Sequence, residues 1–265
     1  TLINRVLKTT SATVTSLAIL FEMPGATLIA AVWLGQVPPL AILPALVLLF
    51  AGLVLVTVNP AYRAKELEYV LRQSRSTGVF YTRQFRGNPL DRWVDETRPS
   101  LPQLRHAFVI EEWESFLASA AAVSGFPEVT PDDPAQIQYT SGTTGSPKGA
   151  LLNHRGLTNN SRYYAKLIQL QEDEVYGHAM PFFHTAGCVM ATLGTIQARA
   201  THAFLPAFDP GRLLELIETE RGAVMLGVPT MMIAMMEHPD FWRGDLSSLR
   251  AAAAGGASVP PEIGR

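Results

Sequence analysis

Tyr139-Thr-Ser-Gly-Thr-Thr-Gly-Ser-Pro-Lys-Gly149 is the stretch on which the reading of this chain turns. Its three glycines, Gly142, Gly145 and Gly149, let the backbone turn tightly and approach an anion with no Cβ in the way. Ser141, Thr143 and Thr144 add hydroxyl donors, and Lys148 adds a cation on a long stem. Backbone N–H groups, hydroxyls and one lysine together make a cradle for a polyphosphate. The spacing Gly142-x-x-Gly145-x-x-Lys148-Gly149 is not that of a Walker A loop, which needs Gly-Lys-Ser/Thr after four spacer residues. A flexible Ser/Thr/Gly surface turn is the competing reading. It accounts poorly for a strand before the loop, Pro-Lys-Gly after it, and so many hydroxyls.

Working outward from the loop, Ile137 to Tyr139 reads as the strand that delivers it and Gly149 to Leu152 as the partner strand that leaves it. Asn153 is a plausible cap for a helix reaching about Gln169. Upstream, Ala64 to Gln73 spaces Leu67, Val70 and Leu71 as one helical stripe, and Gly78–Tyr81 and His106–Ile110 read as short strands. A helix is expected from Glu112 to Val123. Downstream come a strand at 175–180, an apolar helix at 185–198, and a helix opened by Asp209-Pro210 that buries Leu213, Leu214 and Ile217. A strand at 223–227, a helix at 230–237 and a strand at 249–254 complete the pattern. Strands alternating with helices predict an α/β fold with largely parallel sheets and ligand loops at the strand ends.

Thr140 to Gly149 resembles the signature of the adenylate-forming superfamily, and the chain as a whole is most similar to its acyl-CoA synthetases. Three further segments match in order and spacing: Asn59-Pro-Ala-Tyr62 with Glu66-Leu67, Pro181-Phe-Phe-His-Thr-Ala-Gly187, and Gly255-Gly-Ala-Ser258. The ten-residue loop is the specific one, and the other three support it. The resemblance covers residues 52–265 and implies the large N-terminal domain of such enzymes, in part.

It also implies a reaction: ATP and a carboxylic, here fatty, acid give an acyl-adenylate and pyrophosphate, and coenzyme A then takes the acyl group as a thioester. Under it Thr140, Ser141, Gly142, Thr143, Thr144, Gly145 and Lys148 bind the nucleotide, with Lys148 and Thr144 meeting the phosphates during the reaction and Thr140 beside Mg²⁺. One hydroxyl is a poor site for a hard cation, so carboxylates must come from elsewhere. Gly255, Gly256, Ala257 and Ser258 lie beside the adenine and acyl group. His184 stands beside the acid carboxylate and the thiol route. Phe183, Gly187, Val228 and Met231 form the acyl wall, although core packing explains Met231 and its neighbouring methionines equally well. Without the resemblance, His184 reads as a hydrogen-bonded histidine at a helix start. His154 reads as a structural helix-start residue, and His202 and His238 carry no message.

The family's Tyr-Gly-x-Thr-Glu segment, its ribose-binding Thr-Gly-Asp segment and a later catalytic lysine have no counterpart in these 265 residues. The expectation is therefore a fragment that is inactive alone. The alternative is a nucleotide-binding or membrane-associated remnant of a synthetase.

Composition narrows the classes further. With 48% hydrophobic and 17% charged residues the chain is globular with an apolar lean, and a net charge of −2 makes no case for nucleic acid. The single cysteine, Cys188, rules out an internal disulfide, reads as a small core residue, and suits a reducing cytoplasm. Residues 1–51 are the divergent part: no charge occurs from Met23 to Tyr62, and Leu40 to Val58 is long and apolar enough to span a bilayer. Either that segment meets a membrane, or its end is a buried strand, Gly52 to Val58, of the α/β core. The stretch before Gly52 departs from the family pattern, through divergence or a shifted reading frame.

Overall fold

The structure is a computed structural model that describes residues 52–118, 127–140 and 147–259. It divides after His154 into two compact units.

In the first unit, β1 (Leu55–Thr57) is followed by α1 (Ala64–Gln73). The helix forms because Leu67, Val70 and Leu71 fall on one buried stripe, and because the Glu66 carboxylate accepts the Arg63 N–H at 3.1 Å, closing its first turn. Next come β2 (Gly78–Tyr81), β3 (Gln84–Phe85), β4 (Asn88–Pro89), α2 (Leu90–Thr97), β5 (His106–Val109) and α3 (Trp113–Ala118). β3 and β4 form a two-residue hairpin whose central residues, Arg86 and Gly87, have φ of 51° and 82°. Positive φ at both positions is what the right-handed twist of a hairpin demands.

β6 (Pro134–Thr140) pairs parallel with β1 and antiparallel with β7 (Lys148–Asn153), while β2 pairs parallel with β5. Leu67, Leu71, Val94, Leu101 and Leu104 make the core of this unit. A second knot of rings, Phe80, Phe108 and Phe116, packs with centroids 4.6 to 5.7 Å apart.

The second unit holds α4 (His154–Leu167, whose first residue belongs to the first unit), β8 (Val175–His178), a π-helical stretch (Ala186–Leu193) continuing as α5 (Gly194–Ala198), β9 (Thr201–Phe204), α6 (Pro210–Thr219), β10 (Gly222–Gly227), α7 (Pro229–Met236) and β11 (Ala251–Ala254). Its four strands form one parallel sheet in the order β11-β10-β8-β9. Asp209 caps α6 by accepting the Arg212 N–H at 2.9 Å, with Pro210 at the first helical position.

The core gathers Leu213, Leu214, Ile217, Met225, Met231, Met232 and Met235. At the amino-terminal side of the sheet Arg250 makes a fork onto Glu174, at 2.7 and 2.5 Å, and also donates to the carbonyls of Ile168 and Gln169 beyond α4. One guanidinium thereby ties together the entries to β8 and β11 and the carbonyls left over after a helix end. It holds the Glu174 carboxyl below the usual carboxylate range.

The α/β expectation holds, with local corrections. The strand expected from Gly52 to Val58 is regular only over Leu55–Thr57, and Leu53 and Val54 are exposed rather than buried. The helix expected at 185–198 is wider than an α-helix over its first eight residues: the Thr192 hydroxyl reaches the Gly187 carbonyl, five residues back, at 2.9 Å. The helix expected to run to Val123 is seen as far as Ala118, the rest lying outside the described residues. Residues 1–51, including the part of the apolar run Leu40 to Val58 that precedes Gly52, lie outside them too. Among the described residues no helix is long and apolar enough to cross a membrane.

Candidate functional site

The first unit supplies the two feet of the glycine-rich loop. Thr140, the last residue of β6, is the direct partner of Lys148, the first of β7. The antiparallel pairing thus sets a hydroxyl and an ammonium side by side at the mouth of the loop. Both feet are tied to α1: Tyr69 donates its hydroxyl to the Pro147 carbonyl at 2.9 Å, and Tyr139 donates to the Val70 carbonyl at 3.3 Å.

The strand below is held in register by buried amides. Gln136 donates to the Gln138 side chain at 2.9 Å, Thr57 donates to the same oxygen at 3.3 Å, and Gln138 donates to the Tyr139 carbonyl at 3.2 Å. Gly149 has a packing reason: a Cβ there would lie 2.9 Å from Ile137 and 3.2 Å from the Tyr139 ring. Ser141, Gly142, Thr143, Thr144 and Gly145 lie outside the described residues. Among the described residues no cluster of three or more histidine, cysteine or acidic side chains could hold a metal. Thr140 alone does not make a Mg²⁺ site.

The second unit brings the remaining candidates to one edge of its sheet. His178 of β8 is level with Leu226 of β10, and Gly227 of β10 is level with Ala254 of β11. The segments Met180–Gly187, Val228–Met231 and Gly255–Ser258 therefore all leave the carboxyl ends of three neighbouring parallel strands. That edge is where open α/β sheets bind ligands. Gly256, at φ 83°, lies against Val228, so that a Cβ there would sit 3.5 Å from the valine Cγ1. The Gly255 N–H donates to the Gly227 carbonyl at 3.3 Å.

His184 starts the helical stretch. Its N–H donates to the Pro181 carbonyl at 3.1 Å, its Nδ1 accepts the Ala186 N–H at 3.1 Å, and its carbonyl accepts the Gly187 N–H at 3.0 Å. Nδ1 is therefore occupied by the backbone, and the imidazole's N–H is at Nε2 when neutral. Phe183 is half-buried in the same turn, and Ala257 and Ser258 are exposed. Met231 is buried in the core cluster of the unit, while Val228 packs at that cluster's margin.

Beneath this edge lies a feature that sequence reading passed over. His178 is buried and His202 half-buried, with their Nε2 atoms 2.6 Å apart and rings stacked at 4.8 Å. Burial, then the neighbouring imidazole, pushes His178 down to about 3, and burial pushes His202 down to about 4. His202 seemed silent because β9 itself was not foreseen, and a pairing of strands 24 residues apart is not written locally. Tyr164 and Tyr176 make a second buried couple, hydroxyl to hydroxyl at 2.9 Å, and burial raises both phenols.

Comparison with known proteins agrees with this geometry. The rat mitochondrial medium-chain acyl-CoA ligase ACSF2 (Rattus norvegicus) is 31% identical over 247 residues, which is 80% of this chain and 40% of that protein. The chain likewise spans less than half of other curated relatives that it matches. The inhibitor-bound N-terminal domain of FACL13 from Mycobacterium tuberculosis superposes with a TM-score of 0.72 at 27% identity, covering 80% of this chain and 52% of that one. ATP-bound MatB from Rhodopseudomonas palustris gives a TM-score of 0.73 at 28% identity, covering 84% and 44%. The family model described as AMP-binding enzyme matches residues 30–265. With the β6–β7 pairing and the parallel sheet in place and the family model matched over most of its length, the chain belongs to the AMP-binding enzyme family.

Proposed function

We propose that this chain carries the phosphate-binding and acid-binding parts of a ligase that activates a carboxylic acid with ATP, as an acyl-adenylate, and passes the acyl group to coenzyme A. The observation that carries the reading is the β6–β7 hairpin, which pairs Thr140 with Lys148 at the mouth of a Ser/Thr/Gly loop. Charge develops on the phosphates as the carboxylate attacks and pyrophosphate leaves. Preorganised donors and a cation meet that charge without reorganisation.

Lys148 and the hydroxyls of Thr143 and Thr144 hold the β- and γ-phosphates. Mg²⁺ would take most of its oxygens from phosphate and water, with Thr140 at its edge. Gly255 to Ser258 receive the adenine, and Phe183, His184, Gly187, Val228 and Met231 wall the acid. An apolar wall with methionine in it suits a medium or long acyl chain. A cytoplasmic location goes with the lone cysteine.

On this reading the 265 residues bind nucleotide weakly and do not turn over by themselves, since the Mg²⁺-binding glutamate, the ribose-binding aspartate and the catalytic lysine of the reaction have no counterpart among them. ATP–pyrophosphate exchange, run with a panel of medium and long fatty acids, checks this. The expected result is no exchange above the acid-free control with any acid. Robust exchange would show that the chain is competent without those groups.

A further inference from the structure

The tautomers of the histidine pair follow from the geometry. His178 Nδ1 accepts the Met180 N–H at 2.9 Å, so it carries no proton. The proton of His178 is then at Nε2, from which it is donated across 2.6 Å to His202 Nε2. That nitrogen must be bare, which leaves the proton of His202 at Nδ1. Both imidazoles are neutral in this arrangement. An imidazolium at either position would set two N–H groups against each other.

What the pair touches gives it a role. The Phe182 ring stands across both imidazoles, with centroids 5.9 Å from each, at interplanar angles of 63° and 80°. It also meets Phe204 edge to face at 4.8 Å. Tyr176, at 5.9 Å, and Phe204, stacked at 6.2 Å, also face His178. Phe182 lies between Pro181, whose carbonyl takes the His184 N–H, and Phe183. The same Pro181 carbonyl lies against Gly187. The path from Met180 to Gly187 is thus fixed at one end by His178 Nδ1 and in the middle by Phe182 on the histidine floor.

We infer that His178 and His202 are positioning residues for the acid pocket: their hydrogen bond orients His178 to hold the Met180 N–H and, through Phe182, sets where Phe183 and His184 stand. This inference rests on the proposed acid-activating function for its meaning, but its geometry can be tested apart from it.

The test uses the 265-residue chain with ¹⁵N-labelled histidine and uniform labelling for backbone amides. Long-range ¹H–¹⁵N spectra should show His178 as the Nε2–H tautomer and His202 as the Nδ1–H tautomer at pH 7; the opposite pair, or an imidazolium at either position, overturns the inference. His202→Leu removes the acceptor and should displace the resonances of Met180 through His184. His202→Gln, whose amide oxygen can take the His178 N–H, should leave them near their wild-type places.

With decanoate and palmitate as probes, His202→Leu should weaken binding roughly tenfold and His202→Gln by less than about threefold, the scale of one buried hydrogen bond. Unmoved resonances in His202→Leu, or equal displacement in both variants, overturns the inference. Should His202→Leu fail to fold, the wild-type tautomers and the His202→Gln spectrum still decide. If the wild type binds neither acid while the tautomers and the leucine–glutamine contrast hold, the positioning stands and the acid-activation reading falls instead.

Discussion

Gly187→Ala is expected to destabilise the second unit by about 3 kcal/mol. A Cβ at this position would sit 2.7 Å from the Pro181 carbonyl carbon and 2.9 Å from the Met180 oxygen, and closer still to the Pro181 oxygen. All three are backbone atoms, so no rotamer change relieves the contact. Relief would require the Met180–Pro181 turn to move away from the helix, carrying Phe182 off the histidine pair.

Gly194→Ala, seven residues on in the same helical run, is the control. Its Cβ would meet nothing closer than 3.6 Å, and alanine is the better helix former by about 1 kcal/mol. Thermal unfolding of the two variants should therefore move in opposite directions, down for Gly187→Ala and level or up for Gly194→Ala. Equal behaviour would show that the turn before the π-helical stretch yields easily.

The second large effect is a loss of stability in mild acid. His178 and His202 have ordinary values near 6.5 when unfolded and about 3 and 4 when folded. The unfolded chain therefore binds more protons than the folded one between pH 6.5 and pH 4, and stability falls as pH falls through that window. The contribution of the neutral pair is fully present above pH 6.5. On the order of 2 kcal/mol is lost for each imidazole between pH 7 and pH 5. His154, held down by burial, adds in the same direction.

The carboxylates with lowered values, such as Glu174, also lose their contribution in acid, but only below about pH 4.5. Denaturant unfolding at pH 7, 6 and 5 isolates the imidazoles. The wild type should weaken steadily, and the double variant His178→Asn, His202→Gln should weaken much less. A wild-type profile flat from pH 7 to pH 5 would mean that the two rings are solvated.

The parts of this molecule that sequence made legible are those with a local cause. The stripe of Leu67, Val70 and Leu71 defines α1, and Asp209-Pro210 opens α6, because capping and periodicity act over a few residues. The loop could be singled out because its glycines, hydroxyls and lysine fall within ten positions. Its strands fall around it as expected, with Thr140 against Lys148. The three segments Met180–Gly187, Val228–Met231 and Gly255–Ser258 could each be singled out by pattern. That one sheet edge gathers them depends on the order β11-β10-β8-β9, which no single segment contains.

What escaped notice was non-local. The histidine pair needs β8 and β9 side by side, and Thr201-His-Ala-Phe204 is too short and mixed to announce a strand. The widened helix turn at Ala186–Leu193 begins where the Pro181 carbonyl lies against Gly187, a contact absent from any hydrophobic pattern.

We propose that Lys148 and the loop it closes bind the phosphates of ATP. Titration of the wild-type chain and Lys148→Ala with MgATP, followed by ³¹P resonance and calorimetry, tests it most directly. The wild type should show weak, saturable binding, with the β- and γ-phosphate signals perturbed most, and Lys148→Ala should lose that binding while its fold is retained. Absence of binding in the wild type, or undiminished binding in Lys148→Ala, would contradict it.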